Sequence, residues 1–240
     1  MEALKSMILH SHRIGSNPWK VAIILEELGL PYEHRFIAFK DMKTESYEAL
    51  NPNGRVPTLE DPNTGVTIWE VRILHILSIL TEVLQLLNLC QSGAIIDYLI
   101  EYYDKDAKLH YESLPEKYVT RSWEHFQMSG QGPAWGQMVW FRTFHPEKLP
   151  SAIDRYEKET LRIISVIDSH LKKQGSLYLV GDRVTYADLM FVCWTYIFDD
   201  RYPEEFDLKA FTAYNTWMAR MKERPAVRKV WADWAGAKKE

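Results

Sequence analysis

At 240 residues, with 46% hydrophobic and 26% charged side chains, the chain is long enough for two packed units and apolar enough to give each a core. A formal net charge of −4 leaves no cationic surplus for nucleic acid or an anionic membrane surface, and two cysteines, Cys90 and Cys193, imply no disulfide framework. The opening residues, Met1 to Ser6, lack the basic stretch and apolar core of a secretory signal, so a reducing cytoplasm is the expected location.

In chain order, Ser11 to Lys20 joins an opening strand to an amphipathic helix, Val21 to Leu28, closed by Gly29, with Pro18 in its first turn. Asn51 to Pro57 follows a second strand. Proline lacks an N–H and its preceding bond takes the cis form far more cheaply than other peptide bonds, so Pro57 can end ladder pairing and turn the chain. The Val56 N–H and C=O then stay available to an extended peptide, a small case of strand addition. Taken alone, Val56-Pro57 reads equally as a loop proline entering a strand. Thr67 to Glu70 reads as a strand and Ser92 to Tyr103 as a helix with Ser92 at its N-cap. Strand, helix, strand, loop, Val-Pro, two strands and a helix spell a thioredoxin-like βαβ–ββα domain.

Beyond a linker at Asp104 to Leu114 the pattern is helical: residues 118–130, 132–144, 151–173, 186–196 and 208–223 carry apolar residues at helix-like spacing. Thr185 and Asp188 make a capping box with aspartate in place of the usual glutamate, which reads as structural. Cys193 falls within a core helix, where a buried, inert thiol is expected. No metal-ligand cluster, internal repeat or low-complexity tract appears.

These pieces together resemble the cytosolic glutathione S-transferases, in a fungal branch related to the nitrogen-catabolite regulator known for its prion tail. The matching residues are Ser11-His12, Asn17 to Gly29, Asn51 to Pro57, Ile68 to Glu70 and Ser92 to Ile96. Farther on come Phe126-Gln127, Ser129-Gly130, Gly132-Pro133, Gly136-Gln137, Phe144-His145, Leu179 to Leu189 and Arg224 to Val227. The resemblance spans the chain except residues 71–91. It implies an α/β domain plus an all-α domain: a thioredoxin-like glutathione-binding domain over 1–104, with an atypical insert at 71–91, and an all-helical domain over 115–240. It also implies a homodimer, with glutathione as co-substrate and no permanently bound cofactor.

In that family Glu70 is followed directly by the serine that is Ser92 here, so Val71 to Gln91 lands inside the glutathione site. The segment is rich in Leu and Ile, yet Arg72, His75, Glu82 and Gln85 disfavour a membrane span. Valine codons begin GT and glutamine can be encoded CAG, so the ends suit intron borders, and twenty-one codons keep the reading frame. Translated intron sequence is the preferred reading, with a partner-binding or lid insertion as the alternative; sequencing the spliced transcript distinguishes them.

A glutathione transferase must turn a thiol into a thiolate at neutral pH, because the thiolate is the nucleophile. A hydrogen-bond donor and the positive end of a helix dipole can do this. Ser11, Ser16 and Asn17 lie where such a donor belongs, and the resemblance favours Asn17, which suits an N-cap role ahead of Pro18 equally well. An amide stabilises a thiolate but cannot act as a base. Glu70 can accept the γ-glutamyl ammonium, and Ser92 with its helix N-terminus the γ-glutamyl carboxylate. Lys43 matches a basic position in relatives and is a candidate for the glycine carboxylate, with a solvated lysine as the preferred reading; Arg55 is open to the same reading as a surface charge. Arg13, Trp19, Trp123 and Phe126, with Gln127 and Trp135, are candidates for a pocket holding a hydrophobic electrophile, or else for plain core.

The leading expectation is an enzyme conjugating glutathione to a small electrophile, in detoxification or fungal secondary metabolism. A glutathione-binding regulator is the second, although the residues before Met7 carry no Asn/Gln-rich tract. A glutathione-dependent reductase or peroxidase is the third. The loop Gly15 to Pro18 holds no cysteine, which leaves peroxidase turnover by the glutathione thiolate itself.

Overall fold

A computed structural model describes residues 3–69, 92–202 and 206–238. Cys90, Glu70 and the segment read as an insert or intron lie outside the described residues. The rest falls into two compact units, the first holding residues up to 69, 92–110 and 222–238, the second those of 111–221.

The first unit is built on a four-stranded sheet in the order β2-β1-β3-β4, from β1 (Met7–Ser11), β2 (Tyr32–Phe36), β3 (Thr58–Asp61) and β4 (Val66–Trp69). β1 runs parallel to β2 and antiparallel to β3, and β3 runs antiparallel to β4. Helix α1 (Ser16–Leu28) makes the β1-to-β2 crossover and buries every residue from Pro18 to Leu25. Gly29 ends it at a φ of 67°, a conformation that glycine adopts without steric cost, and its N–H caps the Glu26 carbonyl. A short helix α2 (Glu45–Glu48) precedes the Asn51 turn, and α3 (Gly93–Tyr103) packs on α1 and β4. Below α3, Asp61 accepts hydrogen bonds from the hydroxyls of Tyr98 and Tyr103 and from Asn63. Burial works to raise its carboxyl, and these bonds outweigh that and hold it below the usual carboxylate range.

Residues 225–237 form a helix, numbered α10 below, that periodicity did not pick out and that compactness groups with the first unit rather than with the helical residues before it. Pro225 at its first position and Val227, Val230 and Trp234 on one buried face are the signals that were present. It packs along α1, where Arg224 grips Glu27 in a fork, at 2.5 and 2.7 Å, and Lys229 meets Glu26 at 2.5 Å.

The second unit contains α4 (Glu116–Phe126), α5 (Gly132–Val139), α6 (Pro150–Gln174), α7 (Tyr186–Met190), α8 (Val192–Arg201) and α9 (Thr212–Lys222). The expected break near Gly130 is a π-helical turn, Gln127–Gln131, and a second follows at Trp140–Phe144. In the first of these, the Gln131 amide donates to the Phe191 carbonyl and accepts from Gln127. Thr185 and Asp188 form the capping box that the sequence indicated. Cys193 is buried, at 1% exposure.

Candidate functional site

The candidate residues gather at the end of β1. The strand finishes at Ser11, the loop 12–15 follows, and the first turn of α1 carries Ser16, Asn17 and Pro18. Gly15, in extended backbone, holds the N-cap position, and no side chain caps this helix end, where the helix dipole favours negative charge. Asn17 is therefore the second residue of the helix and not its cap, a correction to one of the two roles read from sequence.

Among the three candidate donors, burial separates the serines from the amide. Ser11 is fully buried, its Oγ bonded to the Leu9 carbonyl at 3.1 Å and to His34 Nδ1 at 2.7 Å. Ser16 is also buried, whereas Asn17 is partly exposed. Burial drives the His34 pKa down to about 4, and the nearby Lys229 adds to that. His34 Nε2 is buried with no partner among the described residues.

The Asn51-to-Pro57 turn is held from within. Asn51 donates to the Arg55 carbonyl at 2.7 Å and to Thr58 Oγ1 at 2.9 Å, while its Oδ1 accepts the Asn53 N–H. Tyr47 reaches the same Arg55 carbonyl at 2.7 Å, and burial pushes its phenol up to about 12, so it stays a neutral donor. At Gly54, φ is 57° and an added Cβ would lie 2.5 Å from the Met42 carbonyl oxygen, which explains the glycine. The Val56–Pro57 bond is cis. The β1–β3 ladder starts at His10 and Thr58. The residues that follow β1 and those that precede β3 therefore leave the sheet at the same end, which the β1–α1 loop and the Val56–Pro57 segment share.

Ser92 caps α3 by position but not by bonding: it is fully buried, makes no side-chain cap bond, and its Oγ has no partner among the described residues. Lys43 lies in the Asn51 corner, donating to the Asn53 carbonyl at 2.7 Å and 3.8 Å from Glu48, with its side chain 59% exposed. Arg55 is partly buried rather than a plain surface charge, and burial lowers its pKa. Tyr47 was missed by sequence reasoning, since a tyrosine in a short helix carries no pattern of its own.

The sequence patterns described as "Glutathione S-transferase, N-terminal domain" and "Glutathione S-transferase, C-terminal domain" match residues 15–77 and 150–220. The glutathione S-transferase-like protein OpS6 of Beauveria bassiana is 42% identical over 231 residues, 96% of each chain. The chain belongs to the glutathione S-transferase family. Its fungal branch is borne out as well: Protein URE2 of Candida albicans is 33% identical over 258 residues, 92% of this chain and 68% of that one. The crystal structure of glutathione transferase URE2P6 from Phanerochaete chrysosporium, in complex with oxidized glutathione, matches with a TM-score of 0.83 and 39% identity, covering 97% of this chain and 98% of that one.

Within this family frame, the residues proposed for the electrophile pocket divide between the units. Trp19, at 1% exposure, is a core ring stacked on Trp234, and the Arg13 guanidinium sits 4.7 Å over Phe36. In the second unit, Trp123 packs edge-on to Phe126 and lies 4.5 Å from His170, both rings half-buried, while Gln127 and Trp135 are buried. No helix among the described residues is long and apolar enough to cross a membrane, and no described group of His, Cys, Asp or Glu could hold a metal ion.

Proposed function

We propose that this member of the glutathione S-transferase family binds glutathione and joins it, through its sulfur, to a small hydrophobic electrophile. The observation that carries the reading is the sheet end that the loop leading into Asn17 of α1 shares with the Val56–Pro57 segment. The glutathione backbone pairs with Val56, the buried Ser92 hydroxyl and the first N–H groups of α3 take the γ-glutamyl carboxylate, and Glu70 takes its ammonium. The Asn17 amide donates to the sulfur at the positive end of α1, favouring the thiolate; the thiol proton passes to solvent. The sulfur lone pair then forms the carbon–sulfur bond, and any leaving group departs with the electrons of the bond it loses. Lys43 has a secondary place at the glycine carboxylate. Detoxification or secondary metabolism, a cytoplasmic setting and a homodimer complete the proposal.

The amide at Asn17 favours one competing reading, a glutathione-binding regulator with little transfer activity, because it cannot remove a proton. One titration series separates them. Thiolate absorbance of bound glutathione should titrate below that of the free peptide, and Asn17→Ala should reverse this by roughly 1.5–3 kcal/mol, about 10- to 100-fold in thiolate population. An unchanged titration in the variant moves the donor role to Ser16 or Ser11. Binding with a lowered pKa but no turnover of standard electrophiles supports the regulator.

A further inference from the structure

The loop that carries the sulfur-facing end of α1 is tied to the far end of the chain by two parallel indoles. Trp19, in α1, and Trp234, in α10, stack with ring centroids 5.6 Å apart and planes 12° apart. They donate to successive loop carbonyls: Trp19 Nε1 to His12 at 3.2 Å and Trp234 Nε1 to Arg13 at 2.8 Å. Arg13 returns the contact, its Nη1 donating to the Ala237 carbonyl at the last turn of α10 at 3.1 Å, where the helix dipole favours a cation. Its guanidinium carbon lies 4.7 Å from the ring centroid of Phe36 in β2. The loop's own geometry is supported at one further point, where the Ile14 N–H donates to His12 Nδ1 at 3.3 Å.

Indole nitrogens are donors and nothing else, and each here is aimed at one backbone oxygen. Burial alone does not dictate a partner, since the buried Trp135 and Trp194 indoles have none among the described residues, and nothing in core packing requires the two partners to be neighbouring carbonyls of a single turn. Asn17 follows Arg13 by four residues. From this arrangement we infer that α10 is a positioning element for the sulfur-stabilising loop, with Trp234 its principal positioning residue and Arg13 the reciprocal latch. Trp234 touches neither sulfur nor electrophile; it sets where Asn17 and the start of α1 stand, and so how strongly they favour a thiolate. The inference rests on the proposed transferase reading. It assigns Arg13 to holding the loop in place of lining a pocket.

The test compares Trp234→Phe, which keeps the stacked ring and removes one donor, with Arg224→Gln, which breaks the Glu27 fork beyond the opposite end of α1. Two quantities are read: amide hydrogen exchange over residues 12–17, and the pKa of the bound glutathione thiol. In Trp234→Phe the loop amides should exchange about five- to tenfold faster and the thiol pKa should rise by roughly half to one unit, as expected for one lost neutral hydrogen bond, with glutathione affinity within about twofold. Arg224→Gln should lower the melting temperature and leave both quantities unchanged. In Asn17→Ala the added Trp234→Phe change should move the thiol pKa by less than it does alone, because part of its effect passes through Asn17 and the rest through the start of α1. Unaltered loop exchange in Trp234→Phe overturns the inference, as does faster exchange with an unmoved thiol pKa, or equal effects from Arg224→Gln. A wild-type thiol that titrates like free glutathione sinks the transferase reading instead, and loop exchange then still decides whether Trp234 holds the loop.

Discussion

At the start of α7, Asp188 is fully buried and accepts four hydrogen bonds: from the N–H groups of Leu179 and Thr185, the Thr185 hydroxyl and the Trp217 indole. At the starts of α1 and α3 no side chain caps the helix, and the buried Ser92 hydroxyl meets no partner among the described residues. All three are helix N-termini with the same dipole and the same surplus of N–H groups. The difference lies in who supplies the acceptor. α7 is closed by its own capping box, in which Thr185 accepts the Asp188 N–H and the Asp188 carboxylate accepts the Thr185 N–H, whereas α1 and α3 flank the sheet end proposed for an anionic peptide. Burial pushes the Asp188 carboxyl up, against its four donors, so the site depends on all of those bonds being kept.

Removing the carboxylate is the largest way to probe this contrast. Asp188→Ala leaves buried donors unsatisfied, and urea unfolding should show a loss of roughly 3–5 kcal/mol, while folded protein binds glutathione as before. A loss below about 1 kcal/mol would mean that α7 is not closed in the manner described. The next effect belongs to the β1 end. His34 is protonated in the native state only below about pH 4, but in the unfolded chain already below about 6.5. The unfolded state therefore binds more protons between those values. Stability is whole above pH 6.5 and is lost as the pH falls through the window, by roughly 3 kcal/mol from this group. Unfolding of His34→Phe compared with the parent at pH 7 and pH 4.5 should show a shallower slope in the variant; equal slopes would remove His34 from the acid response.

Ser92→Ala is the mirror image of Asp188→Ala. It deletes a hydroxyl with no described partner, so thermal stability should hold or rise slightly, while glutathione affinity measured by calorimetry should drop about tenfold through loss of a charge-assisted bond. A destabilised variant with unchanged affinity would make Ser92 a structural cap like Asp188 and end the contrast. The smallest effect is expected at Lys43, exposed and already donating to the Asn53 carbonyl. Lys43→Met should change the glutathione dissociation constant less than about twofold, as for most solvated ion pairs.

Much of this was readable beforehand where the signal is local. Gly29 as the stop of α1 and the Thr185–Asp188 box each follow from a few adjacent residues whose backbone or capping needs are intrinsic. The Val56-Pro57 signal is of this kind, since it rests on the missing N–H of one proline. Asn17 was correctly located in the loop-to-helix turn, but its position within the first turn was displaced because Gly15 takes the cap.

What the chain could not announce is what depends on partners distant in sequence. Whether Trp19 lines a pocket or fills a core turns on Trp234, 215 residues later by the difference of their numbers, and the roles of Arg13 and α10 turn on the same contact. Ser11, Ser16 and Asn17 can each donate a hydrogen bond, and it took the pairing of β2 beside β1, with His34 against Ser11, to commit the Ser11 hydroxyl, while Ser16 is buried and Asn17 stays partly exposed. The sequence by itself determined which elements form and which chemistry they carry, because propensity, capping and the proline's lost donor act over a few residues. The tertiary structure decided which of those groups face a ligand, because burial and hydrogen-bond partnership belong to surfaces made only when distant segments meet.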